Sequence, residues 1–317
     1  MKAVILDYAS LAPADLDLSA LRNSIADWQI YDATLPEQTA ERIRDADIVF
    51  SNKVFIGAAE MRGAAQLKLI SVMATGTNNV ELAAAKAQGI TVCNAVGYST
   101  PSVVQHTFAL LLALATQLPG YQRDVANGLW QKSPFFCLLD YPVMELAGKT
   151  IGIIGYGMLG KAVADVARAF GMKVLVAASS SGRVEADRLP LTELLPQVDI
   201  LTLHCPLSDQ TRNLLNADTL KLMKQGALLI NTARGGIVDD QALADSLRSG
   251  HLGGAGIDVI ANEPPRDGNP LLAADIPNLI LTPHTAWASR ESRQRLVDQL
   301  HAVVLAFVQG KPINQVA

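Results

Sequence analysis

The sequence predicts an α/β protein of two doubly wound parallel-sheet domains, and three observations carry that prediction. Short apolar runs alternate with amphipathic stretches along most of the chain. The alternation restarts near residue 99. A glycine-rich hexapeptide, residues 155–160, separates an early strand from an early helix of the second series.

In the first series, residues 2–6, 48–51, 68–72 and 91–93 read as strands, with helical patterns at 36–46 and 80–88 between them. Alternation of this kind argues for a parallel sheet covered by helices. Ser99-Thr100-Pro101 then puts Pro in the first turn of a helix. The most apolar segment, 107–118 (TFALLLALATQL), is about half the length that spans a bilayer and reads as a buried helix. The second series places strands at 150–155, 173–177, 199–204, 227–231, 254–258 and 279–283, a helix at 160–170, and a long amphipathic helix at 289–309.

Composition narrows the class. Half of the 317 residues are hydrophobic and 18% are charged, which suits large buried cores. With a net charge of −4 and no dense Lys/Arg tract, a nucleic-acid partner is not expected. Asp7 interrupts the apolar start MKAVILDYAS, so neither a signal peptide nor membrane association is expected. Cys93, Cys137 and Cys205 are too few and too scattered for a disulfide framework or a zinc site. They read as reduced thiols of a cytoplasmic protein without a metal.

Gly155-Tyr-Gly157-Met158-Leu159-Gly160 matches G-x-G-x-x-G between a strand and a helix, the signature of a Rossmann dinucleotide site. The first glycine permits a tight turn, the second lets backbone approach a pyrophosphate, and the third lets the helix pack on the strand. Alone the hexapeptide is a weak signal, and a plain glycine turn is the competing reading. An acid for the ribose 2′-hydroxyl is expected some 20 residues on, but Ala178-Ser179-Ser180-Ser181-Gly-Arg183 stands there instead. Without that acid nothing repels a 2′-phosphate, so the cofactor is expected to be NAD(H) or NADP(H).

Three further motifs end successive strands: Asn231-Thr232-Ala-Arg234-Gly-Gly, Asp258-Val-Ile-Ala-Asn-Glu263-Pro264, and Pro283-His284-Thr-Ala-Trp287. Ligands of open α/β sheets bind beyond the carboxyl ends of strands. Arginine holds a carboxylate with two parallel hydrogen bonds, and histidine exchanges a proton near neutral pH. A surface arginine, an exposed turn glutamate and a structural histidine are the bland readings, which the joint pattern disfavours.

With His204-Cys-Pro206-Leu-Ser-Asp-Gln-Thr211 added, the ordered set resembles the D-isomer-specific 2-hydroxyacid dehydrogenase family over essentially the whole chain. The resemblance implies a flavodoxin-like substrate domain, 1–98 with 286–317, and an inserted Rossmann NAD(P)-binding domain, 99–285. It implies His284 as acid/base, Glu263 as its partner, and Arg234 for the substrate carboxylate and 2-keto oxygen. Lys53, Thr75 and Gly76 would join Arg234 on the substrate. Gly155, Gly157, Met158, Leu159, Gly160, Ser179, Ser180, Pro206, Thr211, Thr232, Arg234, Asp258 and His284 would contact the dinucleotide, Asp258 at the nicotinamide carboxamide.

The stretches Ser51-Asn-Lys-Val, Ala74-Thr-Gly-Thr-Asn-Asn, Val104-Gln105-His106-Thr and His284-Thr-Ala-Trp287 look most like family members that interconvert hydroxypyruvate and D-glycerate. The expected reaction is reduction of hydroxypyruvate or glyoxylate; the alternatives are D-lactate dehydrogenase activity and a dinucleotide-sensing binding protein. The apolar arm 129–141 (LWQKSPFFCLLDY) needs cover, and in the family it reaches a second subunit, so a homodimer is expected.

Overall fold

The computed structural model describes residues 1–179 and 187–317. The chain divides into two compact units, Met1–Pro101 with Trp287–Ala317, and Ser102–Ala286. The first unit holds β1 (Lys2–Ile5), β2 (Asp27–Ile30), β3 (Ile48–Ser51), β4 (Leu69–Val72) and β5 (Thr91–Cys93), parallel throughout, in the order β2-β1-β3-β4-β5. Alternation of side chains along a strand sends Ala3, Ile5, Ile48 and Phe50 to one face and Val4, Val49, Ile70 and Val72 to the other. The helix Arg290–Val308 covers the first face with Leu296, Leu300, Val303 and Val304. Ser289 starts that helix by accepting the Ser292 N–H. Ile43, Met61 and Ala85 cover the second face.

The strand β2 has no counterpart in the sequence reading. It lies at a sheet edge and alternates exposed with half-buried positions, so it makes no apolar run. The expected helix at 36–46 is a 3₁₀ turn, Pro36–Gln38, followed by the short helix Thr39–Ile43.

The second unit holds β6 (Thr150–Ile154), β7 (Lys173–Ala177), β8 (Arg188–Leu189), β9 (Ile200–Leu203), β10 (Leu228–Asn231), β11 (Gly254–Ile257) and β12 (Leu279–Leu281). Their order is β12-β11-β10-β9-β6-β7-β8, all parallel. Strand order reverses between β6 and β9, the point where a ligand crevice opens in a doubly wound sheet. The expected single helix at 107–118 is broken. Thr100–Ala115 is one helix and Leu118–Ala126 another, with Gln117 left-handed at φ 54° between them. Pro119 lacks an N–H, and its ring would clash with the carbonyl four residues earlier, so the first helix cannot continue. Among the described residues, no single helix is long and apolar enough to cross a membrane.

Candidate active site

The turn after β6 is shaped by contacts that only glycine allows. Gly155 has φ +91°, and a Cβ there would lie 2.5 Å from the backbone of His204 and Cys205. A Cβ on Gly160 would lie 2.1 Å from the Gly155 carbonyl oxygen, so the helix Met158–Ala169 sits hard against the turn. This helix begins at Met158, two residues before the expected start. At Gly157 a Cβ would meet nothing within 4 Å. Beside that opening stand the N–H groups of Met158 and Leu159, which have no carbonyl to bond within the helix. An open cradle whose donors have no helical partner fits a dinucleotide pyrophosphate.

Two residues past β7, Ser179 is half-buried, with Ala178 before it and no acid at either position. Ser180, Ser181 and Arg183 lie outside the described residues. Pro206 is exposed, but Thr211 is buried, and its hydroxyl donates to the Pro206 carbonyl at 2.7 Å while accepting the Ser208 N–H at 2.7 Å. Thr211 therefore shapes the loop that carries Pro206. Thr232 is also buried, its hydroxyl 3.0 Å from that of Thr107.

His204, just past β9, is enclosed beside the glycine turn. Its Nε2 pairs with the Thr202 hydroxyl at 2.9 Å, while Nδ1 has no partner among the described residues. Burial holds its pKa down at about 4. The unfolded chain then binds a proton near pH 6.5 that the folded chain refuses, so stability falls as pH drops from 6.5 towards 4. Between pH 7 and 5 this one group accounts for about 2 kcal/mol. In His204→Gln that part of the acid sensitivity should vanish, measured as the difference in denaturant unfolding free energy between the two pH values. An unchanged difference would place the acid sensitivity elsewhere.

The end of β10 presents Arg234 through a turn held by Asn231. Asn231 Nδ2 donates to the Arg234 carbonyl at 3.0 Å, and its Oδ1 accepts the Ala233 N–H at 3.0 Å. Arg234 is half-buried, and its Nη1 donates to the Ala233 carbonyl at 2.7 Å, which orients the guanidinium. Gly235 has no room for a side chain: a Cβ would lie 1.7 Å from the Ile260 carbonyl oxygen. That close approach joins the Arg234 turn to the turn after β11, where the Ile260 N–H donates to Glu263 Oε1 at 3.0 Å. Asn231 and Gly235 stand in the sequence only as letters of the Arg234 motif. An Asn closing a strand before a turn, a position where its side chain bonds local backbone, was the available signal.

Glu263 Oε2 meets His284 Nδ1 at 2.5 Å, with both side chains about one-third exposed, at 32% and 27%. With Nδ1 engaged, Nε2 is the nitrogen left to face a ligand. His284 is left-handed, φ 54°, a region costly for a residue with a Cβ. Asp258 holds it there. The Asp258 carbonyl accepts the His284 N–H at 2.8 Å. The carboxylate, 1% exposed, accepts the Thr282 hydroxyl at 2.6 Å and the Thr285 and Ala286 N–H groups at 2.9 Å. Asp258 is thus the anchor of the 282–286 loop, a role the sequence reading did not assign. Arg234, Glu263 and His284 all belong to the second unit and follow the carboxyl ends of β10, β11 and β12.

In the first unit, buried Asp7 accepts the N–H groups of Asn52 at 2.9 Å and Lys53 at 2.7 Å, leaving the Lys53 side chain exposed. Desolvation outweighs these bonds and raises the Asp7 pKa above the ordinary carboxylate value. Thr75 and Gly76 follow β4, where Asn94 Nδ2 donates to the Thr75 carbonyl at 2.7 Å.

Comparison with known proteins gives three findings. Residues 108–286 match the family model for the D-isomer specific 2-hydroxyacid dehydrogenase NAD binding domain. The chain is 48% identical to a glycerate dehydrogenase of Methylorubrum extorquens, covering 99% of this chain and 98% of that one, and 40% identical to a hydroxypyruvate reductase of Blautia hydrogenotrophica, covering 100% and 99%. Among solved structures, an acyclic imino acid reductase in complex with NADPH and D-Arg superposes with a TM-score of 0.85 at 30% identity, covering 100% of both chains.

Proposed function

This chain belongs to the D-isomer-specific 2-hydroxyacid dehydrogenase family, and from that membership we propose that it reduces hydroxypyruvate and glyoxylate, to D-glycerate and glycolate, with NADH or NADPH. The observation that carries this reading is the Glu263–His284 pair in one unit with the glycine cradle and the oriented Arg234. Gly155, Gly157, Met158, Leu159 and Gly160 hold the pyrophosphate, and Ser179 and Pro206 flank the adenosine. The bound nicotinamide supplies the hydride that reaches the 2-carbon of the keto acid. Arg234 binds the substrate carboxylate and draws charge from the 2-keto oxygen. His284 Nε2 gives its proton to that oxygen as the alcohol forms, and Glu263 at Nδ1 supports the positive ring beforehand. Oxidation runs the same path in reverse.

The test is a panel of kcat/KM values over hydroxypyruvate, glyoxylate, pyruvate and longer 2-keto acids with each cofactor. Hydroxypyruvate and glyoxylate should lead pyruvate by about tenfold or more. A lead by pyruvate would make this a lactate-type enzyme, and no turnover with any keto acid would make it a dinucleotide sensor. No acid stands at Ala178 or Ser179, so the two cofactors should differ by less than about a hundredfold, roughly 3 kcal/mol. A thousandfold preference for NADH would show that another group rejects the 2′-phosphate.

The protein is further proposed to be a cytoplasmic homodimer. Phe135, Phe136 and Leu139 are 73%, 90% and 85% exposed, apolar area that a second copy of the chain would cover. The arm is fastened at its base, where Tyr141 donates to buried Asp124 at 2.7 Å and Arg123 donates to the Tyr141 oxygen at 2.9 Å. Light scattering at micromolar protein should give twice the 33.7 kDa chain mass, and a monomeric mass would end the proposal.

A further inference from the structure

The helix Thr100–Ala115 grips the loop that carries His284 at two points. Ser102 Oγ donates to the Ala286 carbonyl at 2.7 Å, at the far end of the loop. One turn on, His106 Nε2 lies 3.0 Å from the Thr282 hydroxyl, at the near end. Residues four apart lie on one face of a helix, so a single face reaches both ends of a loop some 180 residues away in sequence.

We infer that His106 is a positioning residue for the acid/base: acting through the Thr282 hydroxyl, it orients the Asp258 carboxylate that keeps His284 in place. The inference rests on the assignment of His284 proposed above. The direction of the bonds follows from donor and acceptor counting. A hydroxyl has one hydrogen, and a carboxylate offers only acceptors. Thr282, 2.6 Å from Asp258 Oδ1, therefore gives its hydrogen to the carboxylate. What it turns to His106 is a lone pair, so Nε2 carries a hydrogen and donates. The chain runs from His106 through Thr282 to Asp258, each group orienting the next. His106 Nε2 is itself 3.5 Å from the same carboxylate oxygen, so little else fits between them.

The consequence for His284 follows from its backbone. A left-handed non-glycine residue persists only where its surroundings over-determine it. Asp258 provides that restraint through its carbonyl and its carboxylate together. Without the His106 donor, the Thr282 hydroxyl is free to turn to another acceptor. The carboxylate then loses its shortest bond, and the loop holding His284 loosens. The glycine cradle and Arg234 lie on other turns and are untouched, so the loss should appear mainly in turnover.

The experiment compares His106→Leu, His106→Gln, Thr282→Val and the His106→Leu/Thr282→Val double variant. It measures kcat, KM for hydroxypyruvate, NADH Kd by fluorescence, and Tm. Loosening of a positioned group by about an ångström costs on the order of 10²-fold, so His106→Leu should lower kcat by about 10- to 100-fold, with KM and NADH Kd within about threefold. Gln places an amide N–H near the same point and should restore kcat to within about threefold of the parent. In the Thr282→Val background, His106→Leu should add less than about twofold, because both act on one chain of bonds. Equal kcat in the Leu and Gln variants, independent losses in the double variant, or a loss seen mainly in NADH Kd would each overturn the inference. If His106→Leu fails to fold, Thr282→Val decides, since a parental kcat there removes the link. His284→Ala is run beside them: activity surviving in that variant counts against the acid/base assignment, whereas parental kcat in His106→Leu counts only against the positioning role.

Discussion

His284→Ala should retain the fold and the cofactor site while losing about 10²- to 10⁴-fold in kcat, the usual contribution of one positioned acid/base and roughly 3–5 kcal/mol of barrier. The reason is local. Nδ1 is engaged by Glu263 at 2.5 Å, so the ring has one nitrogen to offer a substrate and a carboxylate to balance the charge it acquires. Alanine removes both and leaves the loop bonds of Asp258 in place, since those run to backbone groups and to Thr282. NADH titration by fluorescence should give a Kd within about threefold of the parent, because the pyrophosphate cradle lies on a different turn. Near-parental kcat in a folded His284→Ala protein would remove His284 from the chemistry.

Arg234→Lys should be nearly as damaging, although charge is conserved. Lysine is a point charge on a flexible stem, whereas the guanidinium here is oriented by its bond to the Ala233 carbonyl and by a backbone turn pinned through Asn231 and Gly235. Nη1 is engaged with that carbonyl, and the remaining N–H groups can meet a carboxylate and a developing oxyanion together. Loss of an oriented donor to such an oxygen typically costs about 10²- to 10³-fold, and a loss of that size is expected in kcat/KM for keto acids. The cofactor Kd should move little. Unchanged kcat/KM for hydroxypyruvate would place Arg234 outside the site.

The strands were legible because parallel strands buried on both faces are mostly apolar, and β1, β3, β4 and β9 are apolar but for Lys2, Ser51, Ser71 and Thr202. The glycine turn was legible because its contacts tolerate no side chain at Gly155 and Gly160, a demand that forces residue type at fixed spacing. Arg234, Glu263 and His284 were legible because each follows a strand end, where open α/β sheets place their ligands. Edge strands β2 and β8 were not, since one is half exposed and the other only two residues long. That the helix Arg290–Val308 packs on the first sheet was implied by the family resemblance and not by the pattern. An amphipathic pattern says that one face is buried and not against what. Tertiary structure alone decided that Asp258 anchors the His284 loop and that His106 reaches Thr282. Those roles are set by hydrogen bonds whose partners the chain brings together only on folding, and no local spacing records a bond across 176 residues.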